Sequence, residues 1–206
     1  MRIKGLSKRH FQNNFIMYFT ITMFFLTGII IGSILINRLT SEQNYRLINR
    51  FSWIFDPEVN VNRMEIFKTT LFSNFKFLLV IWLIGLTSLG IVIVPLMISL
   101  RGGVIGFTVG FLIKEFGVKG FVFSLTGLLP HYLIILPGIL AVGAVGLSNA
   151  IDSKKRRLGN PLHRVHQKNL IDYSILFLLF FLIVIVGCFI EALITPYFLS
   201  FIGINL

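Results

Sequence analysis

Residues 102–150 read GGVIGFTVGFLIKEFGVKGFVFSLTGLLPHYLIILPGILAVGAVGLSNA, and the number of helices in this stretch decides the topology of the chain. A helix over residues 102–113 alone would rise only about 18 Å, which is too short to cross about 30 Å of hydrocarbon. We expect it to continue through the following charged residues, because Glu115 and Lys119 form an acid-to-base pair four residues apart, which stabilises a helix end.

The stretch therefore predicts two spans, at about residues 102–120 and 125–150. Pro130 and Pro137 should kink or break the second span, because proline lacks the backbone N–H and its ring clashes with the preceding turn. The alternative is one span followed by a re-entrant hairpin, which would reverse the orientation of every later segment.

The composition of the whole chain requires lipid as its solvent. Hydrophobic residues make up 55% of the sequence and charged residues 13%, and the mean hydropathy is +0.86. Three further apolar runs, at about residues 15–36, 77–100 and 171–195, are long enough to cross a bilayer. The sequence thus predicts an all-α membrane helix bundle with five transmembrane helices in a single membrane domain, residues 1–206.

The distribution of basic residues predicts the orientation of the bundle. With the amino terminus cytoplasmic and the carboxyl terminus extracytoplasmic, 11 of the 19 Lys and Arg residues lie on the cytoplasmic side, including Arg101 and the basic loop 151–170. The net charge of +11 falls between apolar runs and forms no continuous stripe, which favours contact with anionic lipid headgroups over nucleic acid.

The extracytoplasmic loop, residues 37–76, carries a cluster of aromatic residues, Phe51, Trp53 and Phe55, just before the Asp56-Pro57 turn. Aromatic residues at a membrane surface commonly anchor a helix in the interface, so an amphipathic helix on the outer leaflet is predicted. A partner-binding surface is the alternative interpretation of the same residues.

Glycines are spaced for close helix packing. Gly102, Gly106 and Gly110 follow one another at intervals of four residues and therefore share one helix face. Gly28 and Gly32 repeat the spacing in the first span. Small residues let membrane helices approach closely, so all five are predicted to be helix-packing residues.

Two ionisable residues within the spans are functional candidates, because charge at membrane depth is costly. His131 follows Pro130, yet no acidic residue lies within a helical turn of it, which favours a hydrogen bond to a freed carbonyl over a proton relay. Glu191 lies one turn before Pro196 near the outer end of the last span, where we expect it to reach headgroup water.

Catalytic and metal-binding patterns are missing from the sequence. It contains one cysteine, Cys188, and eight acidic residues, and it matches no zinc-protease, nucleophile-elbow or phosphate-loop motif. We therefore expect no enzyme activity, no cofactor and no metal.

Four motifs resemble the stage II sporulation protein M family of integral membrane proteins. They are GIIIG at residues 28–32, FSNF at 72–75, RGGVIGFTVGF at 101–111 followed by KG at 119–120, and LPH at 129–131 with Pro137. Many relatives outside sporulation carry a glycine after the histidine and then an intramembrane glutamate. This chain has Tyr132 and Ile135 at those positions, which places it nearer the sporulation branch.

The resemblance implies a role in endospore formation, in the mother-cell membrane that migrates around the forespore. It implies a non-catalytic scaffold at the septum that holds two peptidoglycan hydrolases, sporulation proteins D and P. Separately from the resemblance, a homo-oligomer stays open as an assembly of this chain. The alternative function is a small-molecule or ion transporter or channel, with its site at the broken helix, residues 130–137, because discontinuous helices often mark substrate sites.

Overall fold

A computed structural model describes residues 14–51, 63–157 and 166–204, and within these ranges all regular structure is helical. The described ranges contain six α-helices: α1 Phe15–Leu35, α2 Ser41–Phe51, α3 Arg63–Gly85, α4 Gly90–Phe123, α5 Leu129–Arg157 and α6 His166–Ile204. All except α2 are long and apolar enough to cross a membrane, giving five candidate spans among the described residues. The predicted all-α bundle of five transmembrane helices is therefore confirmed.

The prediction of a single span at residues 77–100 is wrong. The chain turns between Gly85, the last residue of α3, and Gly90, the first residue of α4. Two side chains of α5 satisfy the carbonyl groups at the end of α3: Asn149 donates to the carbonyl of Gly85 at 2.9 Å, and Ser153 donates to the next carbonyl at 3.2 Å. Because side chains of a distant helix satisfy these carbonyl groups, the turn can form without a polar stretch in its own sequence.

This turn moves the boundaries of the spans. They lie at Phe15–Arg38, Arg63–Gly85, Gly90–Val122, Pro130–Lys155 and Leu170–Ile194. The last third of the predicted loop 37–76, residues 63–76, consequently belongs to α3. Arg101, which was expected on the cytoplasmic side, lies inside α4.

The chain reverses direction at Gly117, within the residues assigned to α4. Gly117 has a φ of 57° and a ψ of −130°, a conformation that residues with a Cβ atom rarely adopt. A Cβ atom on Gly120 would overlap the carbonyl oxygen of Leu112. Residues eight apart in a straight helix are about 12 Å apart along its axis, so this contact requires the chain to fold back.

The reversal explains why the predicted helical pair of Glu115 and Lys119 is wrong, since the two residues lie on opposite sides of the break. Glu115 instead accepts a hydrogen bond of 2.9 Å from Asn44 of α2. Lys114 donates to the carbonyl of Ile36 at 3.3 Å. These two contacts attach this end of α4 to the segment that follows α1.

The prolines do not break the fourth span. A π-helical turn, Ser124–Leu128, immediately precedes α5, and Pro130 is the second residue of that helix. α5 continues through Pro137 to Arg157 without interruption. The predicted break at Pro137 is thus wrong, while a kink there stays a prediction. The irregular backbone, a π-helical turn, lies before Pro130.

α5 is the central helix of the bundle and packs against the other four spans. In the most apolar 18-residue segment of α5, 72% is buried inside the protein, whereas the corresponding share is 17–33% in the other spans. The core around it is formed by buried side chains from all five spans, including Ile21, Leu78, Ile81, Ile98, Ile139 and Val184. This arrangement leaves the outer faces of α1, α3, α4 and α6 to contact lipid or partners.

Candidate functional site

Asn74 connects three helices in the middle of the bundle. It is the central residue of the 23-residue helix α3, about 16 Å from either end, and it is 1% exposed. Its Nδ2 donates to the carbonyl of Thr70 at 3.0 Å and lies 3.5 Å from Sγ of Cys188 on α6. Its Oδ1 accepts a hydrogen bond of 2.7 Å from Nη2 of Arg101 on α4.

Arg101 therefore places a permanent charge at the depth of the middle of α3. Its guanidinium also lies 5.5 Å from the ring centroid of Phe77, within the range of a cation–π contact. Among the residues that the structure describes, its Nε is buried without a hydrogen-bond partner. A charge at this depth is costly, and such residues usually face the interior of a bundle, as Arg101 does.

Glu191 of α6 supplies a carboxylate to the same region of the bundle. Its Oε1 accepts a hydrogen bond of 3.3 Å from Oγ1 of Thr70 and lies 3.9 Å from Nε2 of His131. The latter distance exceeds that of a direct hydrogen bond. The side chains of His131 and Glu191 are only 4% and 19% exposed.

These positions correct two expectations. Glu191 was expected to reach headgroup water, but it faces the interior of the bundle. His131 was expected to lack an acidic neighbour, because no acidic residue lies within one turn of it on its own helix. The carboxylate comes from α6, about 60 residues later in the chain.

We call the group formed by these residues the polar cluster; its members are Thr70, Asn74, Arg101, His131, Cys188 and Glu191. It joins α3, α4, α5 and α6 by polar contacts inside an otherwise apolar core. One cation and one carboxylate are present, so the charges can balance without a bound ion. Although the cluster contains His131, Cys188 and Glu191, no three His, Cys, Asp or Glu residues in the described part of the chain are placed so that they could hold a metal ion together.

Sequence reasoning missed Arg101 and Asn74 as site residues. Both lie in the motifs quoted above, but the incorrect span at residues 77–100 placed Arg101 just beyond the end of a helix. Asn74 carried a weaker signal, a single amide near an apolar run. Correct placement of the turn after Gly85 would have put both residues at mid-span.

The five predicted packing glycines lie at the contact between α1 and α4. A Cβ atom at each position would meet an atom of the other segment: Gly28 meets the carbonyl of Ser99, Gly32 that of Gly103, Gly102 that of Phe25, Gly106 that of Ile29, and Gly110 the side chain of Ile36. The first four contacts are with backbone, which cannot move aside as a flexible side chain can. Glycine is therefore what allows the two helices to approach this closely.

The predicted aromatic surface is only partly within the described residues. Phe51 is the last residue of α2, whereas Trp53 and Phe55 lie outside the residues that the structure describes. The interface or partner role of these three residues stays a prediction.

Five apolar helices, four of which share an internal charged cluster, define a polytopic α-helical membrane protein. Residues 21–196 match the family model described as Stage II sporulation protein M. Because that match covers most of the chain, the chain belongs to the stage II sporulation protein M family, and it is a sporulation-related membrane protein. Comparisons with curated proteins and with solved structures find no significant match.

Proposed function

We propose that this chain is a non-catalytic scaffold of the engulfment machinery, holding septal peptidoglycan hydrolases of the sporulation D and P type. It acts in the mother-cell membrane at the septum, with its amino terminus in the cytoplasm. Family membership supports the sporulation role, and the resemblance of the motifs is the source of the hydrolase partners.

The observation that carries the scaffold role is the engagement of the polar cluster in contacts between helices. Arg101, Asn74 and Thr70 bond to other members of the cluster. A groove of about 930 Å³ beside α3 and a pocket of about 190 Å³ beside Asn14 are lined by none of the cluster residues. A catalytic or transport site requires groups that face a cavity, whereas groups bonded across helices stabilise the bundle.

The orientation is part of the proposal and has its own test. Five crossings place the two termini on opposite sides of the membrane, and the basic end of α5 with the loop that follows it favours a cytoplasmic location for that side. A topology reporter fused after Leu206 should be active only outside the cytoplasm. A reporter active in the cytoplasm would reverse the orientation.

Deletion of the gene in its spore-forming host tests the scaffold. Membrane migration around the forespore should stop, and the wild-type chain should restore it. The hydrolases should co-purify with the wild-type chain and with Gly103→Ala, but not with Gly106→Leu, which disrupts the contact between α1 and α4. Normal engulfment in the deletion strain would overturn the proposal.

One observation favours a second candidate, transport of a proton or small ion. Glu191 provides the carboxylate beside His131 that a relay requires, and both are buried within the bundle. The full chain in sealed vesicles with an internal pH-sensitive dye would test it. Flux that His131→Gln abolishes would replace the scaffold with a transporter, and absence of flux would remove this candidate.

A further inference from the structure

α3 exposes more of its surface to lipid than the other spans do, although it is the least hydrophobic of them. Of the five spans it has the lowest mean hydropathy. Only 17% of its most apolar segment is buried, which is also the lowest buried share of the five spans. A polar membrane helix normally turns its polar residues towards the protein. α3 does so with Thr70 and Asn74, yet it carries polar residues on its outer face as well.

The outer face carries a continuous row of exposed residues, Lys68, Thr69, Phe72, Ser73 and Lys76, which we call the α3 stripe. Their three- and four-residue spacing puts them on one side of the helix. Lys76 lies only two residues from the centre of α3, and its Nζ is 4.1 Å from the ring centroid of Phe72. Among the described residues, no carboxylate forms an ion pair with Lys68 or Lys76.

The α3 stripe forms one wall of an open groove of about 930 Å³. Phe181 and Ile185 of α6 form the other wall. The volume falls in the range of protein ligand sites, and the walls are mostly apolar. The groove therefore combines a surface suited to apolar side chains with two lysines that form no ion pair within the described ranges.

We propose that this groove is the docking site for a transmembrane helix of a partner protein, and that this helix carries a carboxylate at the depth of Lys76. Thr69 and Ser73 are small hydroxyl residues four apart, which suits close helix approach and hydrogen bonding across the contact. The proposal extends the scaffold function, and its test uses no hydrolase, so either can fail without the other.

A second copy of the chain fits the α3 stripe less well. Two copies share one orientation in the membrane, and a two-fold axis along the membrane normal would place each lysine opposite its own counterpart at equal depth. Like charges facing each other in lipid repel strongly because the dielectric constant is low.

An anionic lipid could pair with only one of the two lysines of the α3 stripe. Lys68 is near one end of α3, but Lys76 lies eight residues further along, about 12 Å deeper. Lipid phosphates lie at the headgroup level, whereas a side chain on a helix can place its carboxylate at any depth. Lys76 thus favours a protein helix.

The test measures binding of a synthetic helix to the full-length chain. A donor fluorophore is fused to the carboxyl terminus of the chain, which is reconstituted in phosphatidylcholine vesicles. The probe is a leucine- and alanine-rich transmembrane peptide that carries an acceptor and a single central glutamate. The control peptide has glutamine in place of glutamate. Energy transfer as a function of peptide density in the membrane gives the apparent Kd.

We expect the glutamate peptide to bind roughly tenfold more tightly than the glutamine peptide, within the range of polar contacts between membrane helices. Lys76→Met should abolish this difference, while Lys76→Arg, which keeps the charge, should retain it. Lys154→Met removes an exposed lysine at the end of α5 and should leave binding unchanged. Each variant is first checked for wild-type helical circular dichroism, with Lys76→Gln as the replacement if Lys76→Met fails.

Equal binding of the two peptides, or binding that Lys76→Met leaves intact, would overturn the proposal. Lys76-dependent energy transfer between copies of the chain, without peptide selectivity, would assign the groove to a homo-oligomer instead. Lys76-dependent enrichment of phosphatidylglycerol, again without peptide selectivity, would assign it to anionic lipid.

Discussion

Replacement of Gly106 by alanine tests the closest contact in the bundle, that between α1 and α4. A Cβ atom at this position would overlap the carbonyl oxygen of Ile29 and lie 2.8 Å from its Cα. Carbon atoms pack at about 3.5–4.0 Å, so the two helices must separate by about 1 Å to admit one methyl group.

The separation of the two helices determines how much stability the substitution removes. A gap of about 0.5–1 Å forfeits about a quarter to a half of the dispersion energy of the atoms that line it. Overpacking of a close-packed interior typically costs about 1–3 kcal/mol. Alanine also favours the helix over glycine by about 0.5–1 kcal/mol, so the net loss of stability for Gly106→Ala should be about 1–2 kcal/mol.

Gly103→Ala is the matched control, because it makes the same substitution three residues earlier in α4. Its Cβ atom would lie 3.5 Å from the carbonyl oxygen of Gly28, an ordinary contact. Only the gain in helix propensity then remains, and Gly103→Ala should be neutral or slightly stabilising.

Both variants are measured as purified full-length chains in detergent micelles, by circular dichroism during denaturant unfolding. The free energy of unfolding of Gly106→Ala should lie about 1–3 kcal/mol below that of Gly103→Ala. This difference is the overpacking loss alone, because the gain in helix propensity is the same in both variants. Equal stabilities would refute the assignment of Gly106 to a backbone contact that excludes side chains.

Two further substitutions test the polar cluster and the reversal of the chain. Asn74→Leu removes the acceptor of the Arg101 guanidinium and should cost about 1.5–3 kcal/mol, the usual loss for a hydrogen bond to a charged group. An unchanged free energy of unfolding would show that this bond does not stabilise the bundle. Gly117→Ala meets no atom within 4 Å, so any loss arises from its φ of 57° and should be about 1–3 kcal/mol. Wild-type stability of that variant would mean that alanine tolerates the turn.

The number of helices was predictable because it depends on the lengths of apolar runs. Residues 102–150 do form parts of two helices, as the length argument required. The turn at residues 86–89 was not predictable from hydropathy, because two of its four residues are leucines and hydroxyl side chains are tolerated within membrane helices. Its carbonyl partners, Asn149 and Ser153, come from tertiary structure.

The polar cluster could not be predicted from neighbouring residues in the sequence, because its members come from different helices. His131 was recognised as a buried ionisable residue, but its carboxylate partner lies on another helix. Arg101 was assigned to the wrong depth once the preceding turn had been missed. By contrast, the interval of four residues already placed Gly102, Gly106 and Gly110 on one face, because that inference needs only the helical period.

Among the described residues, the inner polar face of α3 is bonded to other helices and the outer one is not, and this difference connects the fold to the proposed function. On the inner face, Asn74 and Thr70 are bonded to α4 and α6, which holds α3 in the bundle. On the outer face, the lysines of the α3 stripe have no such partner among the described residues. A helix with cations facing lipid is stabilised by any partner that supplies a carboxylate, so binding at the groove should stabilise α3 itself. The span that meets a partner would then also be the span whose stability depends most on that partner.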